Sequence, residues 1–250
     1  MVLDNRKKAY LDAMGIDVWV EPRQAEPVEA VVLQQESSVK TEPDINRVEV
    51  AKAKPETNIP VTPDVSTLDW DGLQTEVTTC QLCELSQTRM QTVFGVGNRQ
   101  ADVLIIGEAP GAEEDKQGEP FVGSAGQLLN AMLKAVGFER NDVYIANILK
   151  CHPPGNRDPS AEEASQCLPY LKRQIELVQP KVILALGRIA AQRLLQTNTS
   201  LARLRGKQHY MEDITVPVIV TYHPAYLLRA PQEKRKSWED LQFLMSKLTN

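Results

Sequence analysis

Four short runs of apolar residues, each leading toward a helical pattern, constrain this chain more than any other feature. "DVLIIG" (102–107), "VYIANIL" (143–149), "KVILALG" (181–187) and "VPVIVTYHP" (216–224) are continuously apolar rather than alternating. Strands of that kind must be covered on both faces. The helical patterns are equally clear. "SAGQLLNAMLKAVG" (124–137) buries Leu128, Leu129, Met132, Leu133 and Val136, and "SAEEASQCLPYLKRQIELV" (160–178) opens on a Ser160/Glu163 capping box and contains Pro169. "RIAAQRLL" and "QEKRKSWEDLQFLMSKL" (232–248) complete the series. Together they predict an α/β domain, a three-layer αβα sandwich around a central, mostly parallel four-stranded sheet. In such sheets the site lies beyond the carboxyl ends of the strands. The polar motifs obey that rule: "GEAPG" follows the first strand, Asn147 to Cys151 end the second, and His223 follows the fourth.

The globular pattern occupies residues 76–250. Residues 1–20 read as a short amphipathic peptide, with Tyr10, Leu11 and Met14 on one side. Residues 21–75 hold Pro22, Pro27, Pro43, Pro55, Pro60 and Pro63 without periodicity, the composition of a disordered linker. Charge divides the same way. Residues 21–79 carry 12 acids against 5 bases, whereas residues 80–250 carry 18 acids against 20 bases. The net charge of −5 therefore does not exclude a polyanionic partner for the globular part. No apolar run reaches the roughly 18 residues of a membrane span, and the N-terminus lacks a secretory signal. A cytoplasmic location is expected, with reduced cysteines that serve as metal ligands rather than disulfides.

The stretch "GEAPGAEEDKQGEPFVGSAG" (107–126) invites a phosphate-binding reading, and its residues oppose it. It lacks the lysine of a P-loop and the spacing of a dinucleotide fingerprint. Acids at 108, 113, 114 and 115 would repel a diphosphate. Its length exceeds the usual strand-to-helix connection of about 2–6 residues, and such loops are often functional. The cysteines form a Cys80/Cys83 pair in "CQLC", with Cys151 and Cys167 far downstream. By spacing alone they suit zinc or an iron–sulfur centre equally, with unligated buried thiols as a third reading.

"GEAPGAEEDKQGEPFVGSAGQLL", "YIANILKCHPPGNRDP" and "YHPAYLLR" resemble, in order, the three signature segments of the family 4 uracil-DNA glycosylases, which are iron–sulfur enzymes. The likeness runs from about Thr78 to Leu248. It implies a monomeric enzyme that flips uracil out of single- or double-stranded DNA and hydrolyses its N-glycosidic bond. It implies a structural 4Fe–4S cluster on Cys80, Cys83, Cys151 and Cys167. It also places Glu114 against the thymine methyl position and assigns Asn156 to the active site. Gly107 and Ala109 fall in the turn that meets the base.

The chemistry of such a site suits the remaining residues. Phe121 is the candidate platform for the extruded base, though it also reads as a core aromatic. The Asn147 amide offers one donor and one acceptor, matching O4 and N3 of uracil and opposing cytosine. It also reads as a strand-end cap. His223 can donate to O2 as the departing base gains charge, or serve structurally. Glu108 is the candidate for the water or the cationic sugar, and must then be ionised. Leu227 or Leu228 can wedge into the vacated stack, with Arg229, Arg205 and Lys207 toward phosphates. A related group traps uracil-DNA through a histidine in a "KRRIH"-like insertion, with glutamine in the turn. Ala109 stands at that position here and no such insertion separates Cys151 from Cys167. A second function class, a non-catalytic or replication-associated DNA-damage binder, rests on residues 1–20. "YLDAMGIDVWVEPR" resembles the N-terminal peptide of the clamp-loader psi subunit, so a replication or repair protein is a candidate partner there.

Overall fold

The computed structural model describes residues 63–248. The expectations for residues 1–20, and for most of the linker, lie outside the described residues. The helices are α1 (Trp70–Thr79), α2 (Leu85–Thr88), α3 (Ala112–Gln117), α4 (Ser124–Ala135), α5 (Ala161–Val178), α6 (Arg188–Leu194), α7 (Leu201–Leu204), α8 (Pro224–Arg229) and α9 (Lys234–Leu248). The strands are β1 (Val96–Gly97), β2 (Val103–Gly107), β3 (Tyr144–Asn147), β4 (Val182–Leu186), β5 (Gln208–Met211) and β6 (Ile214–Thr221).

The sheet has six strands in the order β1-β3-β2-β4-β6-β5. Its four inner strands are the expected ones and run parallel. The expected count of four is corrected by two antiparallel edges, β1 on β3 and β5 on β6. Neither edge carries the apolar signal of a buried strand. β1 is two residues long, and β5 is "QHYM" with Tyr210 exposed. Alternate residues of the inner strands enter different cores. Leu104, Ile106, Ile183 and Val218 pack with Leu171 and Ile175 of α5 and Leu194 of α6. Val103, Ile105, Leu184 and Ile219 pack with Leu129 and Met132 of α4 and Leu241 and Leu244 of α9. These are the two outer layers of the sandwich.

A third cluster joins α1 to the body. Leu73 and Val77 pack with Leu85, Phe94, Leu149 and Tyr170. Trp70 lies against the rings of Phe94 and Tyr144. The linker reading therefore fails for residues 70–75, which are helical. Asp69 there is an N-cap, accepting the Gly72 N–H at 2.9 Å, rather than a solvated linker charge. The Ser160/Glu163 capping box forms as expected, with reciprocal bonds of 3.1 and 2.8 Å, and Arg157 grips Glu163 through both nitrogens. α5 continues through Pro169. Because Leu73 is fully buried, Leu73→Ala is expected to cost about 2–5 kcal/mol in denaturant unfolding. A loss under about 1 kcal/mol would contradict the packing of α1 into the fold.

Candidate active site

Parallel register sets the floor of the site. Gly107 and Asn147 are the last residues of β2 and β3, and they pair directly. A Cβ on Gly107 would stand 2.3 Å from Asn147 Oδ1 and 2.6 Å from Phe121 Cζ. Only a bare α-carbon lets both side chains cross the strand end. Asn147 is 1% exposed, and its Oδ1 has no hydrogen-bond partner. Its backbone carbonyl accepts from Lys150 Nζ at 2.8 Å, and the same ammonium donates to Gln174 Oε1 at 2.6 Å. Lys150 is itself buried, and that burial lowers its pKa to about 8. Sequence reading missed Lys150, because a lysine following an apolar strand ordinarily marks the exit to solvent.

The loop from Gly107 to Gly126 is held by its own acids. Glu114 accepts the N–H groups of Gly111 at 3.1 Å, Val122 at 2.9 Å and Gly123 at 3.2 Å. Asp115 accepts those of Met90 and Gln91 from the neighbouring segment. Phe121 adopts φ +55°, a conformation uncommon for a bulky residue. Gly126 permits it, since a Cβ there would fall 1.8 Å from the Phe121 carbonyl oxygen. Arg140 donates to the carbonyls of Pro120 and Phe121. The Phe121 ring ends 5.6 Å from the His223 ring, inclined by 31°.

His223 caps α8, and its Nδ1 accepts the Ala225 N–H at 3.2 Å. That bond leaves the ring proton on Nε2. Burial, reinforced by Arg229, pushes the His223 pKa down to about 4, so the ring is neutral at physiological pH. The turn after β4 presses on it: Gly187, at φ +91°, comes so close that a Cβ would meet that of His223 at 2.9 Å. Glu108 follows Gly107. Burial, with a smaller push from Asp158, raises its pKa to about 7 against the pull of Arg188. A role at the water or the cationic sugar requires the ionised carboxylate, and burial opposes that form.

These groups share one cavity of about 450 Å³. Glu108, Ala109, Glu114, Phe121, Asn147 and His223 line it, together with Asn156 and Arg229. Asn156 is exposed in the turn Pro154–Asn156, at φ +54°, with its Oδ1 against His152 Nε2 at 2.9 Å. Asp158 and Tyr226 also line the cavity and escaped sequence reading. Asp158 forms an ion pair with Arg188 at 3.0 Å, a partnership 30 residues apart that no local pattern announces.

Residues 94–242 match the family model of the uracil DNA glycosylase superfamily. A type-4 uracil-DNA glycosylase of Archaeoglobus fulgidus is 45% identical over 178 residues, covering 69% of this chain and 89% of that protein. One from Thermotoga maritima is 43% identical over 152 residues, covering 60% and 78%. A type-5 uracil-DNA glycosylase of Pyrobaculum aerophilum is 31% identical over 146 residues, covering 52% and 64%. The chain belongs to the type-4 uracil-DNA glycosylases. It is a hydrolytic DNA glycosylase whose substrate is uracil-containing DNA.

In this glycosylase the four cysteines gather around one small cavity, apart from the one lined by Glu108 and His223. Cys80 ends α1, Cys83 lies in the next turn, Cys151 follows β3 and Cys167 lies on α5; all four line one small cavity with Lys150 and Tyr170. Among the described residues no three His, Cys, Asp or Glu side chains close on a single-ion position. Two sulfurs receive hydrogen bonds. Arg89 donates to Cys151 Sγ at 3.0 Å and the Lys150 N–H to Cys167 Sγ at 3.3 Å. Four soft donors, one meeting the Arg89 guanidinium and another a backbone N–H, fit a thiolate-ligated centre.

Two expected DNA contacts are corrected. Leu227 is 1% exposed and belongs to the α4/α9 core, whereas Leu228 is 43% exposed. Arg205 is bound to Asp240 at 2.7 Å and to the Lys236 carbonyl, with its guanidinium over Tyr222, so it is not free for a phosphate. Lys207 is exposed on the β5 side. No helix among the described residues is long and apolar enough to cross a membrane. Gly107→Ala is expected to displace Phe121 and Asn147 together and lower kcat/KM for uracil excision about 100-fold. A near wild-type rate in a gel assay of alkali-cleaved abasic sites would contradict the close approach.

Proposed function

We propose that the cavity holds an extruded uracil with its face on Phe121 and its N3–O4 edge on Asn147. The observation that carries this is the unpartnered Oδ1 of a side chain that is almost wholly buried. An unmet buried acceptor costs about 1–3 kcal/mol, and the uracil N3–H meets it. Cytosine sets its own N3 lone pair against the same oxygen, so it is rejected by repulsion as well as by the loss of a bond. Glu114 holds the loop over the base and forms the wall where a thymine methyl would project. Asn156, steadied by His152, faces the mouth of the same cavity.

His223 donates Nε2–H to the base oxygen O2. As the glycosidic bond lengthens, electrons pass to the base and negative charge builds on O2. A fixed neutral donor gains most at that moment. Glu108, when ionised, faces the sugar as it becomes cationic and orients the attacking water. Arg229 lies at the cavity rim toward phosphate, and Leu228 is the wedge residue. The four cysteines hold a 4Fe–4S cluster, whose role is to tie α1 and the "CQLC" turn to the end of β3. Purified protein is expected to carry about four iron atoms per chain. Stoichiometric zinc without iron would overturn the cluster reading.

Two rate measurements test the mechanism. His223→Ala is expected to lower single-turnover excision about 100- to 1000-fold while changing DNA affinity little. Equal losses in both would argue against its role on the leaving group. Because the Glu108 pKa is raised to about 7, its ionised form is lost as pH falls through neutrality. The kcat/KM profile should therefore rise about tenfold per pH unit up to about 7 and level above it. Glu108→Gln should remove that limb along with most of the activity. His223, with its pKa near 4, contributes nothing in this window. A profile flat through neutrality would refute the Glu108 assignment.

A further inference from the structure

Beside the mouth of the uracil cavity stands a stack of side chains that excision itself does not use. Tyr226 lines the cavity and remains 39% exposed, one of the few large apolar side chains so placed among the described residues. Its ring stacks on that of Tyr222 with centroids 5.1 Å apart and planes inclined by 26°. The Arg205 guanidinium lies over the Tyr222 ring, 4.6 Å from its centre. Arg205 is anchored in turn by Asp240, which is 2% exposed, and by the carbonyl of Lys236. The column Tyr226–Tyr222–Arg205 is thus fastened to α9, and the outermost ring is held at the rim.

We propose that Tyr226 is the stacking platform for the nucleobase adjacent to the flipped uracil in the same strand. The inference rests on uracil occupying the Phe121–Asn147 cavity. Tyr226 stands three residues beyond His223 on α8, a helical rise of about 4.5 Å. Both residues line the cavity, so a base next to one held at His223 comes within reach of the Tyr226 ring. An aromatic ring accepts any base through its π face, so the platform is indifferent to sequence. Holding the ring in advance spares the entropy of ordering it on binding. The column also accounts for Arg205, a basic residue in a DNA-binding enzyme that is locked away from phosphate. Its guanidinium packs on the Tyr222 ring instead.

The test uses single-stranded oligonucleotides, so that base pairing does not interfere. Each carries one uracil. In two further substrates the nucleotide on the 5′ or the 3′ side of uracil is replaced by a tetrahydrofuran, which has no base. Full-length, metal-replete enzyme is compared with Tyr226→Ala and Tyr226→Phe, with melting temperatures measured for each. Wild type is expected to lose about tenfold in kcat/KM when the base on one side is removed, as stacking of one base predicts. Tyr226→Ala should lose about as much on the complete oligonucleotide and nothing more when that base is removed. Tyr226→Phe, which keeps the ring, should behave as wild type. Additive losses, or a wild-type enzyme indifferent to both deletions, would overturn the proposal. Failure of the cavity assignment would appear elsewhere, as a normal excision rate in Asn147→Ala.

Discussion

Gly107 and Asn147 face each other at the ends of two neighbouring parallel strands, and the pocket depends on that pairing. Parallel strands bring their carboxyl ends to one edge, and a crossover from β3 over β2 to β4 opens a crevice there. A missing side chain at Gly107 then lets the Phe121 ring and the Asn147 amide meet over the crevice floor. Each neighbour is held from behind. Phe121 is fixed by Gly126 and Arg140, Asn147 by Lys150, and His223 by Gly187 and the first turn of α8. Preorganised groups of this kind cost no rearrangement when charge develops.

The electrostatics follow from burial. Burial keeps the His223 ring neutral, with its proton on Nε2, and raises the Glu108 pKa toward neutrality. Two other loop acids, Glu114 and Asp115, are spent on structure. Glu114 satisfies the N–H groups of Gly111, Val122 and Gly123 that the glycine-rich loop leaves unpaired, and Asp115 ties the loop to the N–H groups of Met90 and Gln91. The loop is thereby held in a fixed shape around the cavity, as the proposed binding of a neutral base requires.

Much of this was legible in the sequence where the signal is local. The inner strands are continuous apolar runs, and α5 announces its start through Ser160 and Glu163. The three motifs carried the family and the cavity residues together. What escaped depends on distant partners or on weak patterns. β1 and β5 are edge strands with no apolar run. α1 follows a proline-rich stretch, and its burial is visible only once Leu73 and Val77 meet Tyr170. Leu227 and Leu228 are adjacent and chemically alike, and only the orientation of α8 separates core from surface. Arg205 looked free until Asp240, 35 residues away, was seen to hold it.

If the Asn147 amide oxygen awaits the N3–H of uracil, as proposed, removing that donor removes the fit. The most direct measurement is single-turnover excision of 3-methyluracil from an oligonucleotide otherwise identical to the uracil substrate. The methyl group removes the donor and leaves the glycosidic bond and O2 in place. A rate at least about 100-fold below that of uracil is expected, with Asn147→Ala narrowing the gap. Equal rates for the two bases in the wild-type enzyme would contradict it.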